Sequence, residues 1–232
     1  MATKAGIFMI ADSLEVEDII GGVIPAKKIK KLDRVANLNV VLSFWGTTEN
    51  SVNNFNLIDE LEHFETILKE EDNTLTVSKK IKNYFEELAI LDEDDNLGFH
   101  VCGFIGEKAY VHHVHHIIGF EENYFRNEDS TKEFHGGERF IEYPILFNGE
   151  NIIPNLFVNL IRFFNDQIIF SEFSRKQAKK FLIFLMDTAI NLQNFSSNSL
   201  NFGKLIGYPL RFCEITKDNI KIEDIQEKKS IL

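Results

Sequence analysis

Several groups of residues in this 232-residue chain could do chemistry by type and spacing. His112-His113-Val114-His115-His116 comes first. On a strand, His113 and His115 share one face, while His112, Val114 and His116 share the other. An H-x-H pair can hold zinc if a third ligand converges on it. Spacing names no such ligand, so the expectation is a polar strand end titrating near neutral pH, with no metal and no cofactor; a metal-binding protein built on this cluster is a distant alternative. Asp92-Glu93-Asp94-Asp95 lacks the alternating spacing of a calcium loop and reads as a solvated turn. Lys27, Lys28, Lys30 and Lys31 form a basic cluster that, in an acidic protein, fits a strand lining a polar cleft. Glu138, beside Gly136 and Gly137, could act as a general acid, although a solvated carboxylate is the default.

The formal net charge of -11 repels phosphate backbones and anionic lipid, which argues against nucleic-acid and membrane partners. Cys102 and Cys213 form no CxxC or zinc pattern and read as buried thiols in a reducing compartment. No leader pattern precedes Gly6 and no apolar run reaches the ~20 residues that span a bilayer, so a cytoplasmic location is expected. With 22 Phe against a single Trp and 4 Pro, the composition favours tightly packed layers in a single domain over residues 1–232.

The elements that must position these groups follow from periodicity. Gly6 to Ala11 and Leu38 to Phe44 read as buried strands, joined through a connection holding Gly21, Gly22 and Pro25. Helices are predicted from about Ser51 to Glu70 and from about Thr76 to Leu91, each with an apolar stripe at 3.6-residue spacing. Phe99 to Ile105 and Ala109 to Val114 read as strands meeting at Gly106, before a long irregular span from Gly119 to Asn151. Pro154 opens a third helix through Phe164. Ser174 with Gln177 makes a capping box that opens a fourth, apolar over so wide an arc that burial between neighbours is expected. Leu210 to Ile215 and Ile220 to Ile222 close the chain as strands across a turn at Lys217, Asp218 and Asn219. Strands, two helices, strands, two helices, strands is the order of an α/β (α+β) fold: a four-layer αββα sandwich, two antiparallel sheets flanked by helix pairs.

Ala11-Asp12-Ser13, Lys27-Lys28-Ile29 and Ser43-Phe44-Trp45-Gly46-Thr47, at these intervals, resemble the first third of a proteasome β-type subunit of the N-terminal-nucleophile hydrolase superfamily. Such subunits carry A-A-D, K-K-I/V and G-x-A-G there. Val101-Cys102-Gly103-Phe104-Ile105-Gly106 resembles the family's hydrophobic-x-G-(Y/F)-D-G strand, and Phe212 to Ile220 its closing I-T-K-D-G-I hairpin. The resemblance covers nearly the whole chain.

It implies a threonine-type peptidase or amide hydrolase in which Lys28 is the supporting lysine, Asp12 its ion-pair partner, and Gly46 a backbone N–H donor to the oxyanion. Ala26 and Trp45 would be substrate-pocket walls. It also implies self-assembly into a ring or stacked dimer, acting on peptide or small amide substrates. The family's chemistry needs a hydroxyl or thiol at the first mature residue, with its own α-amine as base. Here Thr3-Lys4-Ala5-Gly6 already occupies the place of the family's first hairpin. Nine extended residues would put Thr3 roughly 30 Å from Asp12, so Thr3 is not expected to be the nucleophile. The open alternatives are a longer natural chain, a shortened one, and a catalytically inactive structural subunit. The family's S-G-S and D-x-x-S-G-G settings are not matched by His135-Gly136-Gly137-Glu138 or by Ser196 to Gly203.

Overall fold

The computed structural model describes residues 1–19, 22–50, 54–88, 96–117, 124–128, 170–200 and 206–227. Along the chain its elements are β1 (Ala2–Thr3), β2 (Gly6–Asp12), β3 (Leu14–Ile19), β4 (Gly22–Lys28), β5 (Leu32–Arg34), β6 (Val40–Gly46), β7 (Glu49–Asn50), β8 (Phe55–Asn56), α1 (Leu57–Thr66), α2 (Thr74–Leu88), β9 (Leu97–Ile105), β10 (Lys108–Ile117) and β11 (Tyr124–Glu128). A 3₁₀ turn (Phe170–Glu172), α3 (Arg175–Leu200), β12 (Leu210–Ile215) and β13 (Ile220–Ile225) complete it. Contacts group the residues into two compact units, one of 1–32, 136–214 and 221–232, the other of 33–135 and 215–220.

The first unit is built on the sheet β1-β2-β12-β13. In β2, Phe8 is fully buried and stacks on Phe212 with ring centroids 6.3 Å apart. Both belong to one apolar cluster with Met1, Phe170, Ala178, Leu182 and Leu185. Ala178, Leu182, Leu185 and Ala189 recur at helical spacing, the stripe by which α3 buries itself on β2. The expected capping box opens this helix: Ser174 N–H donates to Gln177 Oε1 at 3.0 Å, and Gln177 N–H to Ser174 Oγ at 3.4 Å. Among the described side chains of α3, Phe184 is 51% exposed. The helix expected from Pro154 lies outside the described residues.

The second unit is built on the sheet β11-β10-β9-β6-β5, whose β6–β9, β9–β10 and β10–β11 pairs are antiparallel. Helix α2 packs on β9, β10 and β11 through Val77, Ile81 and Phe85, with the Phe85 ring 4.9 Å from that of Phe99. Tyr84 donates to Glu60 Oε2 at 2.7 Å and ties α2 to α1; burial, then that carboxylate, pushes the phenol up to about 12. The Lys217 carbonyl accepts from Asn39 Nδ2 at 3.0 Å, and the Lys217 ammonium pairs with Glu107 at 2.9 Å.

The architecture is mixed α+β with antiparallel sheets, as expected, and each unit supplies a sheet backed by helix. Two expectations change. Helix α1 starts at Leu57 rather than Ser51, because Asn56 caps it by accepting from the Ile58 and Asp59 amides, after the short β7–β8 ladder. The connection holding Gly22 and Pro25 is itself an antiparallel pair, β3 with β4.

Candidate functional site

Asp12 ends β2, where the strand's buried start gives way to half-buried residues. Its Oδ2 accepts the Leu14 N–H at 2.9 Å, turning the chain into β3. Both carboxylate oxygens accept from the Lys31 ammonium, Oδ1 at 3.1 Å and Oδ2 at 3.2 Å. The side chains of this pair are only 17% and 14% exposed for Lys31 and Asp12. Burial raises the Asp12 pKa above the usual carboxylate value, outweighing the Lys31 charge and the Leu14 amide that favour ionisation.

Lys28, the expected partner, does not hold this carboxylate. It stands opposite Leu14 in the β3–β4 ladder and is exposed, as are Lys27 and Lys30. The next backbone bond, Ile29 N–H to the Ser13 carbonyl at 2.9 Å, carries the chain on to Lys31. The ion pair therefore belongs to a residue of the same lysine cluster three positions later, which the family spacing did not select. Ala26 lies in β4, and its side chain is outside the described residues.

Thr3 stands opposite Gly6 in the β1–β2 hairpin, where its Oγ1 accepts the Ala5 N–H at 2.9 Å. Asp12 lies at the far end of β2, about 20 Å along an extended strand from Gly6. Thr3 is thus a hairpin residue and not the group beside Asp12.

Gly46 and Trp45 fall in the second unit, at the end of β6. Gly46 has φ +94, and a Cβ there would overlap the carbonyl oxygen of Asn96, to which the Thr47 N–H donates at 2.5 Å. Its glycine is required by this strand-end approach, whatever else its amide does. Trp45 faces Gly98, which has no side chain to collide with the indole. Its ring lies 5.2 Å from His100 and 5.0 Å from His113, with His113 4.7 Å from His115. His113 and His115 do share a face, and the β9–β10 register sets His100 opposite His113. Spacing along β10 could not reveal His100, because it arrives from another strand. Burial, then the neighbouring His113, holds His100 well below the ordinary imidazole value, so it is neutral at pH 7. On the other face His112 is buried and stacks on Tyr110. Among the described residues no three His, Cys, Asp or Glu groups are arranged to hold a metal ion, and no helix is long and apolar enough to cross a membrane. Asp92 to Asp95 and Glu138 lie outside the described residues.

No protein-family profile matches this sequence, and no curated protein sequence does either. Among solved structures, a mutant of Anbu from Hyphomicrobium sp. strain MC1 is similar over 98% of this chain and 86% of that one, with a TM-score of 0.58 and 14% identity. At that identity the likeness is one of fold alone.

Proposed function

We propose that this chain is a subunit of a proteasome-like amide-bond hydrolase of the N-terminal-nucleophile type, acting on peptides or small amides. The single observation that carries the reading is the largely buried carboxylate–ammonium pair of Asp12 and Lys31 at the end of β2. Withdrawing two charges from water is expensive, and a hydrophobic pair of similar volume holds a fold as well. Such pairs with perturbed ionisation cluster at functional sites. An ammonium there can depress the pKa of a neighbouring amine and so keep it a base at neutral pH.

The nucleophile of this reading is a residue preceding Met1. Met1 stands opposite Phe8, its amine donating to the Phe8 carbonyl at 2.8 Å, and β1 runs antiparallel to β2. Asp12 lies four residues beyond Phe8, so a chain continued upstream in this register would set its fourth added residue opposite Asp12.

The test is the intact mass and N-terminal sequence of the protein isolated from its native cell, together with hydrolysis of a peptide-amide panel. A mature chain beginning with Thr, Ser or Cys a few residues upstream, with turnover, is the expected result. A mature chain beginning at Met1 or Ala2 without turnover would leave a catalytically silent proteasome-like subunit. That second reading is favoured by one observation, that the Thr3 hydroxyl is engaged in the first hairpin.

A further inference from the structure

The histidines on one face of β9 and β10 take no part in the function proposed above. We propose that Trp45, His100, His113 and His115 form a proton-operated switch: on mild acidification the imidazoles charge, repel one another, and release the strand ends that carry Trp45 and Gly46. The register assembles the cluster in adjacent rungs. His100 lies opposite His113 and Gly98 opposite His115 across β9–β10, while β6 sets Ser43 opposite His100 and Trp45 opposite Gly98. His113 is the hub, its ring 5.1 Å from that of His100, 5.0 Å from Trp45 and 4.7 Å from His115, and Trp45 and His100 are 5.2 Å apart. His100 is buried, whereas His113 and His115 are half-buried and retain access to protons from water.

Neutral rings suit this packing, and charged ones do not. His100 meets His113, and His113 meets His115, edge to face, an arrangement that the quadrupoles of uncharged aromatic rings favour. Histidine is the side chain whose ordinary charge change falls between about pH 5 and 8, and like charges within about 4–6 Å oppose each other's formation. The three imidazoles therefore titrate as one set rather than as independent sites. A first imidazolium can rest against the indole of Trp45, but a second meets repulsion from the first. Groups at neighbouring positions supply little net compensation. Ser43 from β6 is uncharged, and burial pushes the Cys102 thiol, the next β9 residue on this face, up to about 12, so it stays neutral. Strand β11 sets Glu128 opposite His113 and Arg126 opposite His115, which together add no net charge. Helix α2 covers the other face, where Phe85 packs on Phe99 and Phe99 lies opposite Val114, so His112 and His116 belong to a separate environment. Burial first, then His113 and the N-terminal ammonium, hold His100 well below the ordinary value of 6.5. An imidazole held down in the folded state contributes stability that is lost as pH falls below the unfolded value. The loss is local, because the cluster occupies the last rungs of its ladders: β6 ends at Gly46 and β9 begins at Leu97.

The test uses the full chain and needs no hydrolase activity. Trp45 is the single Trp, so its emission reports on this cluster alone, and an imidazolium quenches indole more strongly than a neutral imidazole does. Emission should fall as pH is lowered from about 8 to about 5 and recover on return to neutrality. Over the same interval amide hydrogen exchange at Phe44, Trp45 and Gly46, corrected for its intrinsic pH dependence, should quicken on the order of 10-fold, while Val41 and Leu42 of the same strand stay protected. H113F keeps an aromatic ring at the hub but cannot take up a proton there, so both changes should be lost. H63N, at an exposed histidine of α1, should keep them. Emission and exchange that do not change with pH would overturn the proposal, as would an unaltered transition in H113F or its loss in H63N. A fall in emission without faster exchange at residues 44–46 would show protonation without release and overturn it equally. Equal quickening at Val41 and Leu42 would mark general acid unfolding rather than a switch. The wild-type emission and exchange decide the matter even where a variant does not fold.

Discussion

Gly46 and Gly106 both adopt positive φ, +94 and +62, but their surroundings differ. A Cβ at Gly106 meets nothing within 4 Å, so alanine there costs about the 1–2 kcal/mol of a left-handed L-residue. A Cβ at Gly46 overlaps the Asn96 carbonyl oxygen, a backbone atom held by the Thr47 amide, and relief requires β6 and β9 to separate at their ends. G46A should therefore be more destabilising than G106A by roughly 1–3 kcal/mol, the usual size of a steric clash in a packed site. Urea midpoints of the two variants test this, and equal midpoints would show that the strand end yields freely. The comparison also matters for function. Lost activity in G46A with unchanged stability would point to the Gly46 amide, whereas lost stability accounts for lost activity by itself.

At the scale of elements, the entry to α2 shows how local polar groups fix a helix start and give it a pH dependence. Asn73 Oδ1 accepts the Leu75 and Thr76 amides, and the Asn73 amide donates to Thr76 Oγ1 at 2.8 Å, so the cap is reciprocal. Asp72, just before it, accepts from Lys80 Nζ at 2.5 Å and from the Lys69 amide at 2.8 Å. Burial alone would raise the Asp72 pKa, but the bonds from Lys80, Lys69 and Thr76 together outweigh it and hold the carboxyl below its ordinary value. A carboxyl depressed in the folded state contributes stability above its unfolded pKa near 3.8, and that contribution disappears as pH falls through the lower folded value. D72N should thus be less stable than wild type at pH 6, with the gap closing on acidification below about pH 4. A gap that widens on acidification would contradict the assignment. The same scale shows what the sequence could reveal. Strands β2, β6, β9, β10 and β12 lie within about three residues of their apolar runs, because a buried strand needs such a run. The β3–β4 pair escaped notice because Leu14 to Ile19 carries Glu15, Glu17 and Asp18, and Pro25 sits within β4, both poor strand signals. Lys31 could not be chosen over Lys28 for a related reason: spacing along the chain does not say which of several neighbouring lysines the register turns toward Asp12.

For the whole molecule, the function proposed above raises the question of assembly, and the charge makes that question measurable. Each copy carries a formal net charge of -11, so copies repel one another at low ionic strength. If the chain forms the ring or stacked dimer that the family resemblance implies, apolar and hydrogen-bonded contacts must overcome that repulsion. Raising salt from about 0.05 M to 0.5 M shortens the screening length from more than 10 Å to about 4 Å, which removes most of the repulsion while leaving short-range contacts intact. Light scattering should therefore give a mass that is a multiple of 26.8 kDa, with the assembled fraction increasing with salt. An assembly held mainly by cross-copy ion pairs would respond in the opposite sense and dissociate as salt rises. A mass of 26.8 kDa at every salt concentration and at high protein concentration would exclude self-assembly, and with it the ring or stacked dimer.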